Sequence, residues 1–275
     1  MLTATRQDVT AIADLIEDLC GIYLDDTKGY LVETRLSSLA ERHGCKDFTA
    51  LASMGRSHAN QDLRRELVNL MTTNETLFFR DNTPFEAMRH KLFPELIDRR
   101  ESSPFPTRLR IWSAACSTGQ EAYSVAMTLC DMIPEADTWD INIVGTDISD
   151  EVVSDASRGI YSDHVMSRGA SQLQHRYFQQ VGGGWQVSDR LRSMVRFEKA
   201  NLLEPFDRLG KFDIVLCRNV AIYFKDDVRR DLFRRIHRQL NPDGHLIIGS
   251  AESLCDMGDV FRPEFHCGAT IYNPL

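Results

Sequence analysis

Long apolar runs are missing from this 275-residue chain. No stretch approaches the length that crosses a bilayer, and the opening "MLTATRQDV" lacks the basic start and apolar core of a signal peptide. Paired cysteines are missing too. The seven present (Cys20, Cys45, Cys116, Cys130, Cys217, Cys255, Cys267) are odd in number and scattered, with no C-x-x-C pair. That pattern sets aside a disulfide framework and points to reduced thiols in a cytoplasmic protein. His266-Cys267 is half of a metal-ligand pattern with no second half at ligand spacing, so no metal is expected. Basic excess is absent as well: the net charge of −8 argues against nucleic-acid coating, which needs a positive footprint. No internal repeat is evident. What remains is a chain with 43% hydrophobic residues, enough for one large core or two modest ones.

Two textures divide it. Residues 1–75 read as helical throughout. Val9, Ile12, Ala13, Ile16 and Leu19 mark one helix face, and "GIYLDDTKG" breaks it. Further helices are expected over Lys28–His43, Phe48–Ser53 and Gln61–Met71. Residues 76–107 form a connecting segment, with a helix from Pro84 to Arg100 and an extended linker at "ESSPFPT". Residues 108–275 alternate. Strands are expected at Leu109–Ala114, Ile141–Thr146, Met194–Glu198, Phe212–Cys217, His245–Gly249 and Ala269–Tyr272. Helices are expected at Glu121–Met132, Asp150–Ser157 and Asp227–Leu240. Apolar strands separated by helices predict an α/β fold with a mostly parallel, doubly wound sheet. A small antiparallel β insertion is expected at about 167–192, around the glycine turn of "YFQQVGGGWQV".

In such sheets the ligand lies beyond the carboxyl ends of the strands. The loop after the first strand, "CSTGQE", has one glycine, Gly119, where a dinucleotide site would want G-x-G-x-x-G. That disfavours a nicotinamide or flavin dinucleotide and leaves room for a nucleoside ligand without phosphates. Glu121 suits an ammonium group there, and suits equally a first-turn glutamate favoured by the helix dipole. Asp147 ends the second strand, where a carboxylate can accept from two ribose hydroxyls or cap the next helix. Asn201 and Leu202 follow the third strand, placed for an adenine edge and face or for an ordinary turn. Arg218-Asn219 stands at the mouth of a buried apolar strand, where unpaired polar groups are costly.

The segments "TTNETLFFRD" (72–81), "IWSAACSTGQEAYSVAM", "GTDIS", "ANLLEPF" and "VLCRNVAIYF", in that order, resemble the CheR family of chemotaxis receptor glutamate methyltransferases along nearly the whole chain. The resemblance implies a small helical receptor-recognition domain joined to a Rossmann-like methyltransferase domain using S-adenosylmethionine and releasing S-adenosylhomocysteine. It implies that Asn74, Thr76, Arg80, Glu121, Asp147, Asn201, Leu202, Arg218 and Asn219 line the cofactor site. Arg80 and Tyr223 would stand near the transferring methyl as the catalytic pair; otherwise Tyr223 is a core aromatic with a wet tip and Arg80 a structural bridge.

The acceptor so implied is a glutamate on a chemoreceptor's cytoplasmic helices, a partner acidic enough to call for a basic reader. Residues 28–65 carry a net +3, with Arg35 and Arg42 on one face of the second helix as docking candidates, or as a solvated face. The short "VGGGW" turn speaks against gripping a C-terminal tethering peptide of the receptor, as some family members do. No nucleic-acid partner or membrane insertion is expected, and the chain is expected to be a monomer. Two rivals stand beside this reading: a methyltransferase of another acceptor, and a scaffold that binds cofactor without turnover.

Overall fold

Helical periodicity becomes helix where caps are at hand. In the computed structural model, which describes residues 2–101, 105 and 107–275, α1 (Arg6–Cys20) opens at Thr5. The Thr5 hydroxyl accepts the Asp8 N–H while the Asp8 carboxylate accepts the Thr5 N–H, a reciprocal capping box. Gly21 ends the helix in left-handed backbone at φ 79°. Three helices follow: α2 (Gly29–Arg42), α3 (Phe48–Arg56) and α4 (Gln61–Met71). Their apolar faces enclose Ile12, Ile16, Val32, Leu36, Leu51 and Leu67, all fully buried. Gly55 sets the spacing of α1, α3 and α4, since a Cβ there would come within 2.7 Å of Leu15 and 2.8 Å of Leu67.

This helical unit takes in the chain up to Thr73 together with Tyr223–Arg229. The returning segment is held at three points. The Tyr23 N–H donates to the Tyr223 carbonyl at 2.8 Å, Lys225 pairs with Glu17 at 2.6 Å, and the Lys225 ammonium lies 5.1 Å from the Tyr23 ring centroid.

The second unit comprises Asn74–Ile222 and Arg230–Leu275. It begins with α5 (Thr83–Ala87), a π turn over Met88–Leu92, and α6 (Phe93–Glu101). Pro94 explains the turn: it has no N–H, and its ring crowds the carbonyl four residues back. The ladder therefore slips, and the Phe93 N–H bonds to the Met88 carbonyl, five residues back. The linker expected at "ESSPFPT" lies, apart from Glu101, Phe105 and Thr107, outside the described residues.

Next come β1 (Arg108–Ala114), α7 (Gln120–Met132), β2 (Asp140–Asp147) and α8 (Asp150–Arg158). A small excursion follows: β3 (Ile160–Tyr161), α9 (Asp163–Ser167), α10 (Gln174–Tyr177), β4 (Phe178–Val181), β5 (Gly184–Val187) and α11 (Asp189–Met194). The chain returns through β6 (Val195–Lys199), β7 (Phe212–Cys217), α12 (Asp226–Gln239), β8 (Leu240–Ile248), β9 (Phe261–His266) and β10 (Ala269–Pro274).

Seven strands pair in the order β6-β2-β1-β7-β8-β10-β9. The first five are parallel, and β10 runs antiparallel to β8 and to β9. Strand order reverses between β1 and β7, so the ligand crevice of a doubly wound sheet falls at their carboxyl ends. β7 is buried at every position, and its one charged residue, Asp213, is held by Arg100, Asn241 and the Arg110 N–H. The edge strand β9, "FRPEFH", was not expected from sequence. It carries Pro263 and charged residues on an exposed edge, a composition that discourages further pairing. The β excursion forms its own three-stranded antiparallel sheet, β3-β5-β4, and starts at Ile160, ahead of the 167–192 window. Its β4–β5 hairpin closes on two residues, Gly182 and Gly183, the latter at φ 95°. Among the described residues no helix is long and apolar enough to cross a membrane.

Candidate functional site

The loop from β1 to α7 curls through three left-handed residues, Ala115 (φ 55°), Ser117 (φ 51°) and Gly119 (φ 91°). Two of them carry side chains, so the turn depends on bonds that hold it. Ser117 supplies two of these: its N–H donates to Asp147 Oδ2 at 2.9 Å, and its hydroxyl donates to the Asn74 carbonyl at 2.9 Å. Gly119 must be glycine for packing as well, since a Cβ would sit 2.9 Å from Ala156 and from Phe197.

Asp147 closes β2 and is 7% exposed. Burial pushes its carboxyl pKa up, against the backbone N–H groups of Ser149, Ser117 and Ile148 that favour the anion. A carboxylate has about four lone-pair positions, so this one keeps acceptor capacity at the mouth of the crevice. The capping role belongs elsewhere. Ser149 caps α8 through its hydroxyl, while Asp147 receives the Ser149 N–H at 3.1 Å.

Arg218, with a side chain 2% exposed, is the hub of the site. Its Nη1 donates to Glu121 Oε2 at 2.7 Å; its Nη2 donates to the Arg80 carbonyl at 2.8 Å and to Asp81 Oδ2 at 2.9 Å. The Ser113 hydroxyl donates to the other Glu121 oxygen at 2.7 Å. Glu121 is therefore neither a simple first-turn acid nor a free acceptor. It is half of a buried ion pair, acceptable in the interior because both its oxygens are bonded.

The Arg218 guanidinium thereby ties the Asn74–Asp81 loop to the ends of β1 and β7. That loop needs tying, because Phe79 (φ 53°), Asp81 (φ 66°) and the following Asn82 (φ 43°) all have left-handed backbone. The Phe79 N–H is held by the Ser124 hydroxyl at 3.0 Å, and Phe78 packs edge-on against Tyr161 and Phe178. Half-buried Arg80 donates from Nη1 to the Glu75 carbonyl at 2.9 Å and has no carboxylate partner among the described residues. Thr76 is half-buried on the same loop and Asn74 is exposed.

Bonds thus connect Asn74 through Ser117 to Asp147, and Arg80 through Arg218 to Glu121. Asn219 follows Arg218 in the chain, at φ 59°. The Ala200 N–H donates to the Asp147 carbonyl at 2.9 Å, which brings Asn201 and Leu202 to the same rim. Asn201 Oδ1 accepts the Leu203 N–H at 3.0 Å, a local turn bond. Leu202 is buried, and its carbonyl accepts from Arg235 at 2.7 Å.

Tyr223 and the two docking candidates belong to the helical unit. Arg35 is committed there to a structural task. Its Nη1 donates to the carbonyls of Met71 and Thr72 at 3.0 and 3.1 Å, capping the carboxyl end of α4. Arg42 is exposed and pairs with Glu66. Three site residues escaped sequence reasoning: Asp81, Ser113 and Ser117. Serine at the carboxyl end of an apolar strand was the available signal for Ser113 and Ser117.

The donor set suits one kind of ligand. It offers carboxylates and amides to ammonium and hydroxyl groups, and lacks the glycine-rich turn that would cradle a pyrophosphate. No cluster able to hold a metal ion exists among the described residues.

Comparison with known proteins agrees. The family model described as CheR methyltransferase, SAM binding domain, matches residues 74–267, and the one described as CheR methyltransferase, all-alpha domain, matches residues 7–72. A chemotaxis protein methyltransferase of Pseudomonas putida is 41% identical over 253 residues, covering 90% of either chain. One of Pseudomonas aeruginosa is 40% identical over 267 residues, covering 95% of either chain. One of Vibrio cholerae is 38% identical over 265 residues, covering 95% of this chain and 94% of its own. With carboxylates and amides gathered at the strand switch point and both of its units matched, the chain belongs to the CheR methyltransferase family, and its sheet unit is an S-adenosylmethionine-binding domain.

Proposed function

We propose that the protein methylates glutamate side-chain carboxylates on the cytoplasmic helices of chemoreceptors, giving methyl esters. The supporting observation is Arg80, a half-buried cation on the tied Asn74–Asp81 loop with no carboxylate of its own. An incoming carboxylate is its natural complement, since guanidinium donors match carboxylate oxygens in pairs.

S-adenosylmethionine, when bound, supplies an electrophilic methyl on a positively charged sulfur. Asp147 is the residue to hold its ribose hydroxyls, with Asn201 and Leu202 toward the adenine and Asn219 toward the amino-acid end, which Glu121 borders with its oxygens already held by Arg218 and Ser113. A glutamate is already ionised at neutral pH, so the chain need provide no strong base. Attacking carboxylate and sulfonium lose their charges together as the methyl moves, so water around them retards the step. The protein's contribution is then alignment in a dry crevice. Arg80 orients the carboxylate, gripping it loosely enough to leave the attacking oxygen nucleophilic. The resemblance gives Tyr223 a catalytic role as well.

The test is incubation with methyl-labelled S-adenosylmethionine and a chemoreceptor cytoplasmic fragment, followed by mild alkali. Volatile label that appears only with receptor identifies carboxyl methyl esters. Alkali-stable label would name a different acceptor, and no label despite cofactor binding would leave a non-catalytic scaffold.

Recognition is proposed to rest on the helical unit, without a tethering peptide. The hairpin of the small sheet ends in the two-residue Gly182-Gly183 turn, which offers no loop to fold over an added strand. Titrating a receptor C-terminal peptide into the protein should release no heat up to millimolar concentration. Micromolar binding would overturn this part of the proposal.

A further inference from the structure

The carboxyl ends of β7 and β8 are joined by a side chain that the ligand-lining residues do not include. Glu252 lies on the turn after β8 and points its Oε2 back at the strand ends. That one oxygen accepts the Asn219 N–H at 2.8 Å and the Gly249 N–H at 2.6 Å. β7 and β8 are neighbouring parallel strands, with Cys217 opposite Ile248, so the two N–H groups stand side by side where both strands stop. A single oxygen receiving both N–H groups clamps the two strand ends together. The other oxygen, Oε1, is buried with no hydrogen-bond partner among the described residues.

Two further features fit the clamp. Asn219 is left-handed at φ 59°, a backbone state uncommon outside glycine that asparagine tolerates better than most residues. Its direction decides where the Asn219 side chain points relative to Arg218. Gly249 is moulded to the carboxylate: a Cβ there would lie 2.6 Å from Glu252 Oε2, 2.8 Å from Asn219 Nδ2 and 3.0 Å from the Asn219 nitrogen. A side chain at 249 would expel either the Glu252 carboxylate or the Asn219 amide. Glycine is required here by a neighbour rather than by its own dihedral angles.

We infer that Glu252 is a positioning residue for cofactor binding: it holds Asn219 in left-handed backbone by accepting its N–H and that of Gly249 on one oxygen, in a space that exists because residue 249 is glycine. The inference rests on the assignment of Asn219 to the cofactor site, and it extends to two residues with no other part in that site.

The experiment uses the full-length protein and four forms of it: wild type, Glu252→Ala, Glu252→Gln and Gly249→Ala. Glutamine keeps an oxygen able to accept both N–H groups and places its amide nitrogen where Oε1 has no partner. Two readouts are taken. In the ligand-free protein, hydrogen exchange of the Asn219 and Gly249 amides should be slow in wild type and Glu252→Gln. It should quicken at least tenfold in Glu252→Ala and Gly249→Ala. In calorimetry, S-adenosylhomocysteine should bind wild type and Glu252→Gln within about threefold of each other, and the other two variants at least tenfold more weakly, a loss of about 1.4 kcal/mol.

Exchange at Asn219 unchanged in Glu252→Ala overturns the clamp whatever the ligand does. Quickened exchange with full ligand affinity overturns its role in cofactor binding. Glutamine behaving like alanine in both readouts overturns the argument that acceptor geometry is what matters. Failure of the wild type itself to bind S-adenosylhomocysteine would count against the cofactor site, while the exchange data would still decide the clamp.

Discussion

Replacing Arg218 with methionine is expected to remove about 3–5 kcal/mol from the stability of the sheet unit, the usual cost of leaving a buried charge without its partner. The side chain is 2% exposed and lies between Glu121, 13% exposed, and Asp81, 33% exposed. Without it, Glu121 keeps only the Ser113 hydroxyl, and the Arg80 carbonyl loses its donor. Methionine fills much of the volume but satisfies neither oxygen. All three tryptophans, at 112, 139 and 185, fall in the sheet unit, so their fluorescence in a urea titration follows this unit alone. Adding Glu121→Gln to Arg218→Met should recover part of the loss, because it removes the stranded charge. A single variant within 1 kcal/mol of wild type, on the order of surface-pair energies, would mean that the ion pair is not the buried hub described.

The second large effect concerns turnover. Arg80→Ala should lower kcat for receptor methylation by about 100-fold, the scale seen when one oriented donor is removed from a reacting group. Affinity for S-adenosylhomocysteine should change far less. The Arg80 backbone, which Arg218 holds, is untouched by the substitution, so the loop should keep its course. Lysine at 80 should recover only a fraction, because it keeps the charge but loses the planar pair of donors. The comparison is a kcat-against-affinity split, measured by initial rates and by calorimetry. Equal losses in both would make Arg80 a binding residue, and unchanged kcat would remove it from the mechanism.

How far the residues announced this arrangement varies by element. The sheet was legible because strand burial leaves a strong mark: β7 is apolar except for Asp213, and its bounds, Phe212–Cys217, agree residue for residue with the expected strand. β9 was hidden, since an exposed edge with Pro263 has no apolar alternation to read. The helix after Pro84 was legible, but its π turn was not, although Pro94 carried the signal.

At the site, Asp147 could be placed from strand-end position alone, and its competing capping role could be settled only by seeing Ser149 take it. The Asn74–Asp81 loop was recognisable by resemblance and opaque to physical reading. Phe79, Asp81 and Asn82 adopt left-handed backbone without a glycine to advertise it, and the bonds that hold them come from Ser124 and Arg218, residues far along the chain. Arg35 shows the converse limit of reading. Its charge was plain in the sequence, but its partners are α4 carbonyls more than thirty residues away, and backbone acceptors leave no compositional trace.

The return of Tyr223–Arg229 to the helical unit has a consequence for synthesis. The four helices leave the ribosome early and contain the contacts needed to begin packing, yet Glu17 and Tyr23 meet their partners only after residue 225 has been made. At about 5–20 residues per second, the stretch between Thr73 and Tyr223 takes roughly 7–30 s to translate. For that interval the nascent unit stands one segment short, and the segment it awaits is the one that carries Tyr223. Completion of the first-made part of the protein is therefore timed by nearly the last.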